Sequence, residues 1–165
     1  MTDHLPKALI LVRDKALTAL GKIKPAGPAT KAEKNFVFSA LRSDASRKLP
    51  PYHLVYFLLV DLLGFEDLGQ WEKVSWSVPI DFDGKAFLIE HRKFGIGVFQ
   101  QSNDDEAASA EIVRLIAKAV KVAAPYFTWR AEQAAAASHL NVHNRSRERM
   151  ALLPSGGRER IRLQT

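Results

Sequence analysis

Four charged residues near the middle of the sequence have the types and order of a metal-dependent nuclease site. Asp81 closely follows Pro79 on one predicted strand, and Glu90 precedes Arg92 and Lys93 on the next. Two carboxylates on neighbouring strands can bind one divalent cation such as Mg²⁺. Asp81, Glu90, Arg92 and Lys93 are therefore the candidate catalytic residues. The alternative is a hairpin with a polar face and no catalysis.

A predicted β-hairpin positions these residues. Between residues 74 and 82, apolar side chains alternate with serine, proline and aspartate, which is the pattern of a half-buried strand. The Asp-Gly pair at 83 and 84 predicts a type I′ turn, because both residues tolerate positive φ. Further strands are predicted over residues 85–91 and 96–99. The turn pairs each residue of the first strand with one of the second, from Phe82 with Lys85 to Trp76 with His91.

This register sorts the side chains of the hairpin onto two faces. One face is apolar and is the predicted core; it carries Trp76, Val78, Ile80, Phe82, Phe87 and Ile89. His91 lies beside Trp76 on this face, at the margin of the core. Asp81 and Glu90 share the other face. There Glu90 pairs with Ser77, which is four residues along the strand from Asp81.

The spacing of the two carboxylates argues against a shared metal. Four residues along a strand span about 13 Å, whereas two carboxylates on one Mg²⁺ hold their oxygens within about 4 Å of each other. The second strand also ends in Glu-His-Arg, where nuclease sites of this kind usually carry an acid, any residue and then lysine. We therefore expect this face of the hairpin to lie at the protein surface, with an exposed Glu90–Arg92 ion pair that contributes little to stability. We expect no metal and no cofactor.

Helices are predicted on both sides of the strands. Apolar residues recur at helical spacing over residues 5–20. Thr30 with Glu33 has the spacing of a capping box for a second helix, and Leu41 is expected on the buried side of that helix. A third helix is predicted from Pro51 to Gly64, since proline suits a first turn and glycine a C-terminal end. A long helix follows from about Asp104 and is interrupted at Pro125.

The fold class expected from this order is α+β. Three N-terminal helices and the start of the later helix would pack on a three-stranded antiparallel meander. We expect an α+β domain over residues 1–124, a helical extension over 125–149, and a basic, disordered tail over 150–165. The alanine-rich extension has few large apolar residues, so it is expected either to pair with a protein partner or a second copy of the chain, or to stay mobile beyond about Ala137.

Positive charge is concentrated near the C-terminus. Residues 141–165 hold six arginines against two acids, a net +4 of the chain's +6. Such a segment can contact nucleic acid or another acidic surface, or it can simply be solvated. The candidate anion-binding residues are Arg145, Arg147, Arg149, Arg158, Arg160 and Arg162.

Composition excludes several function classes. The chain has no cysteine, which excludes disulfides, thiolate catalysis and cysteine-based zinc sites. Its longest apolar run, LVYFLLVDLLGF, is interrupted by Asp61 and is shorter than the ~20 residues of a membrane span. No secretory signal is recognisable, so a cytoplasmic protein is expected. The favoured function is a non-catalytic regulatory or interaction module, alone or within a longer architecture; the alternative is a divergent metal-dependent nuclease.

Overall fold

The computed structural model describes residues 4–26, 41–69, 74–93 and 95–152. The chain divides into two compact units, Met1–Phe127 and Thr128–Thr165. The first unit mixes helices with one antiparallel sheet, which confirms the α+β class. Most of the predicted second helix, from Thr30 onward, lies outside the described residues.

Within the described residues the sheet has five strands rather than the three predicted. The strands are β1 (Ile23–Pro25), β2 (Leu41–Arg42), β3 (Val74–Phe82), β4 (Lys85–Arg92) and β5 (Gly95–Gln100). The predicted meander β3-β4-β5 forms the centre of the sheet, and the order is β1-β3-β4-β5-β2. The two outer strands are three and two residues long, too short for alternation to reveal them.

The register of the central hairpin is confirmed. Every predicted pair is present, from Phe82 with Lys85 to Trp76 with His91. The turn has positive φ at Asp83 (54°) and at Gly84 (80°), as the I′ geometry requires. The pairing shifts between Val74 and Trp76, where Ser75 forms a β-bulge that the sequence did not predict.

The helices differ from the prediction in two places. In the described ranges they are α1 (Lys7–Ala19), α2 (Tyr52–Tyr56, continuing as a π-helix over Phe57–Leu62), α3 (Glu106–Val122) and α4 (Ala124–Leu152). The predicted third helix is therefore α-helical only at its start. The expectation that Leu41 lies on the buried side of the second helix is wrong. Leu41 pairs with Gln100 in the sheet and is 46% exposed, and a 3₁₀ turn follows at Asp44–Lys48.

The predicted apolar face of the hairpin is buried. Val78, Ile80, Phe87 and Ile89 are fully inaccessible to solvent. Apolar residues of the helical elements are buried too, among them Leu58, Leu59, Leu62, Ile112, Ile116 and Ala119. Helix α3 contacts α1, α2 and β5, so it spans the helical layer.

Helix α3 is also anchored through the carboxylate of Glu106. Burial raises the pKa of Glu106, but hydrogen bonds from the Ser43 hydroxyl, the Asp44 amide and the Gln100 side chain together lower it below its usual value. Ser109 of α3 donates to the Gln100 side chain in turn. These bonds join the start of α3 to β5 and to the segment after β2.

The second face of the sheet is not the exposed polar surface that we expected. Ser77, Leu88, Glu90 and Phe99 on this face are all buried. Glu90 pairs with Gly97 of β5, and the absence of a side chain there leaves room for an arginine. The Nε atom of Arg42 lies 2.9 Å from the position that a Cβ of Gly97 would occupy. Long side chains from neighbouring strands therefore lie across the middle of this face.

Candidate functional site

The structure separates Asp81 from Glu90. They share a face, as predicted, but Asp81 pairs with Ala86 and Glu90 with Ser77, four positions away. Oδ1 of Asp81 accepts a hydrogen bond from the amide of Gly84 and so supports the turn. Lys93 is exposed at the end of the hairpin. Across the described residues, no group of three or more histidine, aspartate or glutamate side chains could hold a metal ion.

Glu90 and Arg92 are brought together, but in a buried setting. Oε1 of Glu90 accepts the Ser77 hydroxyl at 3.1 Å. Oε2 of Glu90 accepts both Nε and a terminal nitrogen of Arg92 at 2.8 Å. The guanidinium of Arg92 also lies over the Phe99 ring, 3.9 Å from its centroid. The pair is therefore part of the packing of the second face, and our expectation of an exposed pair is wrong.

A different site lies at the margin of the apolar face, at the start of β3. It is an open pocket of about 440 Å³, lined by Tyr52, Tyr56, Asp67, Ser75, Trp76 and His91. We call it the aromatic pocket. Its volume falls within the ~300–1,000 Å³ that is usual for sites that bind small molecules.

Two departures from regular structure border the aromatic pocket. Tyr52 and Tyr56 are four residues apart on α2 and so share a face, and the π-helix begins directly after Tyr56. On the strand side of the pocket, the β-bulge lies at Ser75, directly before Trp76, which pairs with His91. Bulges and π-helical turns are both frequent at functional sites, where they redirect side chains.

Four rings form a continuous wall along the pocket. His91 stacks on Tyr52 with ring centroids 4.0 Å apart and planes 12° from parallel. Trp76 lies 6.2 Å from His91 and 5.4 Å from Tyr56, again between ring centroids. Trp76 is only 6% exposed and forms the floor, whereas Tyr52 is 49% exposed and forms the rim.

Among the described lining residues, Asp67 carries the formal negative charge of the aromatic pocket. Its Oδ1 accepts the amide of Gly69 at 2.9 Å and the amide of Ser77 at 3.1 Å, which fixes the carboxylate to the backbone. Within the described residues, Oδ2 accepts one hydrogen bond, from the Tyr56 hydroxyl at 3.5 Å, which is at the limit of a hydrogen bond. Oδ2 therefore keeps capacity to accept a hydrogen bond or to face a cation.

Sequence reasoning missed this pocket, although two of its signals were visible. The register had placed His91 beside Trp76, and the stretch PYHLVY had two tyrosines at i and i+4. Nothing in the spacing connected these rings with Asp67, which lies in the loop between α2 and β3. The β-bulge at Ser75 could not be read from an alternation that continues unbroken through it.

The predicted anion-binding arginines all belong to the second unit. Arg145, Arg147 and Arg149 lie on α4, and the side chain of Arg145 is exposed. Arg158, Arg160 and Arg162 lie outside the described residues. In the ranges that the structure describes, no helix is both long enough and apolar enough to cross a membrane. Comparison with protein-family models, with curated proteins and with solved structures finds no match to this chain.

Proposed function

We propose that this chain is a non-catalytic interaction module and that the aromatic pocket is its binding site. The observation that carries the proposal is the pocket itself: four rings and one anchored carboxylate around about 440 Å³ of open space. Sites that bind small molecules or single side chains are lined mainly by apolar and aromatic groups, with a few polar groups that fix orientation. The aromatic pocket has this composition.

The exposure of Tyr52 supports a binding role. A tyrosine held 49% exposed against a stacked imidazole offers ring surface that packing alone does not require. Tyrosine and tryptophan contribute much of the binding energy at protein interfaces, because they bury a large area at low entropic cost. The pocket presents both residue types on its rim and floor.

The same pocket holds serine, histidine and aspartate, the residue types of a hydrolase triad, but not their geometry. A triad needs a hydrogen bond from the nucleophile to the histidine and from the histidine to the acid. Among the described residues, no hydrogen bond joins Ser75 to His91 or His91 to Asp67. The Asp67 carboxylate is used by Gly69, Ser77 and Tyr56 instead. This arrangement favours binding over nucleophilic catalysis.

A fragment screen by NMR on the whole chain tests the pocket. The library should contain neutral aromatic, anionic and cationic members. We expect some of them to shift the indole N–H signal of Trp76, assigned with a Trp76→Phe variant, and the amide signals of Gly69 and Ser77. Tyr52→Ala should weaken this binding, because it removes the rim of the pocket. Leu17→Ala removes an equally exposed apolar side chain from α1 and should have no effect. A screen in which no fragment moves the Trp76 signal would contradict the proposal.

Helix α4 and the arginines supply a second surface for the same role. Leu140 and Val142 are exposed on α4, and arginines follow from Arg145. We propose that residues 125–149 bind a protein partner or a second copy, and that the arginines contact nucleic acid or another acidic surface.

Truncation after Leu140 tests this second surface. We expect an almost unchanged Tm, because the removed residues lie outside the unit that contains the sheet. We also expect the loss of any binding to a DNA duplex, and in the full chain this binding should weaken steeply with salt. Circular dichroism and fluorescence anisotropy measure the two quantities. A truncated chain that unfolds, or that still binds DNA as the full chain does, would show that the assignment is wrong.

A further inference from the structure

The charge balance of the aromatic pocket identifies the kind of group that it can bind. Among the described residues that line it, Asp67 is the acid and none is lysine or arginine. The rings of tyrosine and tryptophan carry negative potential on their faces, which attracts cations. The ring faces and the carboxylate therefore both attract a cation that enters the pocket.

On this basis we infer that the aromatic pocket binds a methylated ammonium group. The inference rests on the proposed function and specifies the ligand of the same site. A methylated ammonium spreads its charge over several methyl groups, so it can contact the faces of Tyr56 and Trp76 while one side faces Oδ2 of Asp67. Quaternary ammonium groups are recognised in cages of this composition.

Other cations fit the pocket less well. A primary ammonium is strongly hydrated and has three N–H donors to satisfy. The described lining residues offer mainly Oδ2 of Asp67 as a charged acceptor. A guanidinium prefers a carboxylate whose two oxygens are both available for a forked contact, but Oδ1 of Asp67 already accepts the amides of Gly69 and Ser77. A fully methylated, quaternary ammonium has no N–H donor and therefore needs no hydrogen bond from the pocket.

Choline and its neutral isostere, 3,3-dimethylbutanol, test the inference on the unmodified chain. The two molecules have nearly the same shape and differ in charge. We expect choline to bind about tenfold more tightly, since contact between a cation and several ring faces contributes beyond its apolar area. NMR titration of the Trp76 indole N–H measures both affinities. Equal affinities would overturn the methylated-ammonium inference and leave the pocket as a binding site; no binding by any fragment would instead overturn the proposed function.

Asp67→Asn separates the charge of the carboxylate from its structural role. Asparagine retains a carbonyl oxygen for the amides of Gly69 and Ser77 but removes the negative charge. We expect choline affinity to fall about three- to tenfold, and the affinity of 3,3-dimethylbutanol to stay the same. Asp14→Asn, which removes an exposed acid from α1, is the matched control and should change neither affinity. If Asp67→Asn leaves choline affinity unchanged, the inference is wrong.

Two further measurements keep the test decisive. If Asp67→Asn lowers the Tm too far for titration, Tyr52→Leu replaces it, because Tyr52 lies at the rim of the pocket. We expect Tyr52→Leu to lower choline affinity by about two- to thirtyfold. An unchanged choline affinity would count against the inference.

Methylated ammonium occurs in small molecules and on lysine side chains. Nα-acetyl-Nε-trimethyllysine methylamide, titrated beside choline, distinguishes these sources: tighter binding of the lysine derivative indicates a peptide ligand, and tighter binding of choline indicates a small molecule.

Discussion

Replacing Phe87 by alanine is expected to lower the free energy of unfolding by about 3–5 kcal/mol. Phe87 is fully buried on β4, the central strand of the sheet, and its ring meets that of Phe82 edge to face at 6.4 Å. Alanine would leave a cavity that the surrounding helices and strands could fill only in part. Because domains of this size are stable by about 5–15 kcal/mol in total, the variant should lie close to unfolding at room temperature.

Urea denaturation followed by tryptophan fluorescence measures this loss. Phe87→Leu is the matched control, since leucine keeps most of the apolar volume and should cost clearly less than alanine. A loss below about 1 kcal/mol for Phe87→Ala would mean that this position does not lie in a packed core.

Replacing Arg92 by leucine is expected to cost about 3 kcal/mol, because it leaves the carboxylate of Glu90 buried without its partner. Glu90 is inaccessible to solvent, and Arg92 supplies both nitrogen contacts to Oε2. The side chain of Arg92 is itself 35% exposed, so we place the effect at the lower end of the range for a stranded buried charge.

A double variant distinguishes the stranded charge from lost packing. Glu90→Gln removes the charge but can still accept the Ser77 hydroxyl, so Glu90→Gln combined with Arg92→Leu should recover at least half of the loss. If Arg92→Leu alone costs less than about 1 kcal/mol, as an exposed ion pair would, the carboxylate is reached by water and the buried description is wrong. If the double variant is as unstable as the single one, packing of Arg92 on Phe99 explains the effect.

The hairpin was predictable because two local rules agree on it. Alternation over residues 74–82 selects which side chains face inward, and the turn at Asp83 and Gly84 selects the pairing. Neither rule needs distant parts of the chain. The predicted pairs and the burial of Val78, Ile80, Phe87 and Ile89 followed directly.

The rest depended on contacts between segments that are far apart in sequence. Glu90 is buried because Gly97 opposite it leaves room for long side chains from neighbouring strands. Alternation in β3 and β4 indicates only that Glu90 lies on a polar face. Strand β2 is defined by its partner β5 and has too few residues to show a period. The aromatic pocket combines α2, the following loop and the hairpin, and the bulge at Ser75 adjusts one wall. These features depend on tertiary packing, which spacing within one segment does not report.

Asp67 has a consequence for the solubility of the protein. Among the described residues, β1 pairs with β3 from Ile80 to Phe82, and the Ala26 amide also donates to the Pro79 carbonyl. No described strand pairs with the start of β3 on this side, and an unpaired strand edge can recruit a strand of another molecule. Asp67 accepts the Ser77 amide there, and the Leu68 amide donates to the Ser77 carbonyl. We therefore expect Asp67 to protect this edge from pairing with another molecule, in addition to charging the pocket. A substitution at position 67 would have to keep an acceptor for the Ser77 amide in order to protect this edge, and asparagine is the nearest neutral side chain that does so.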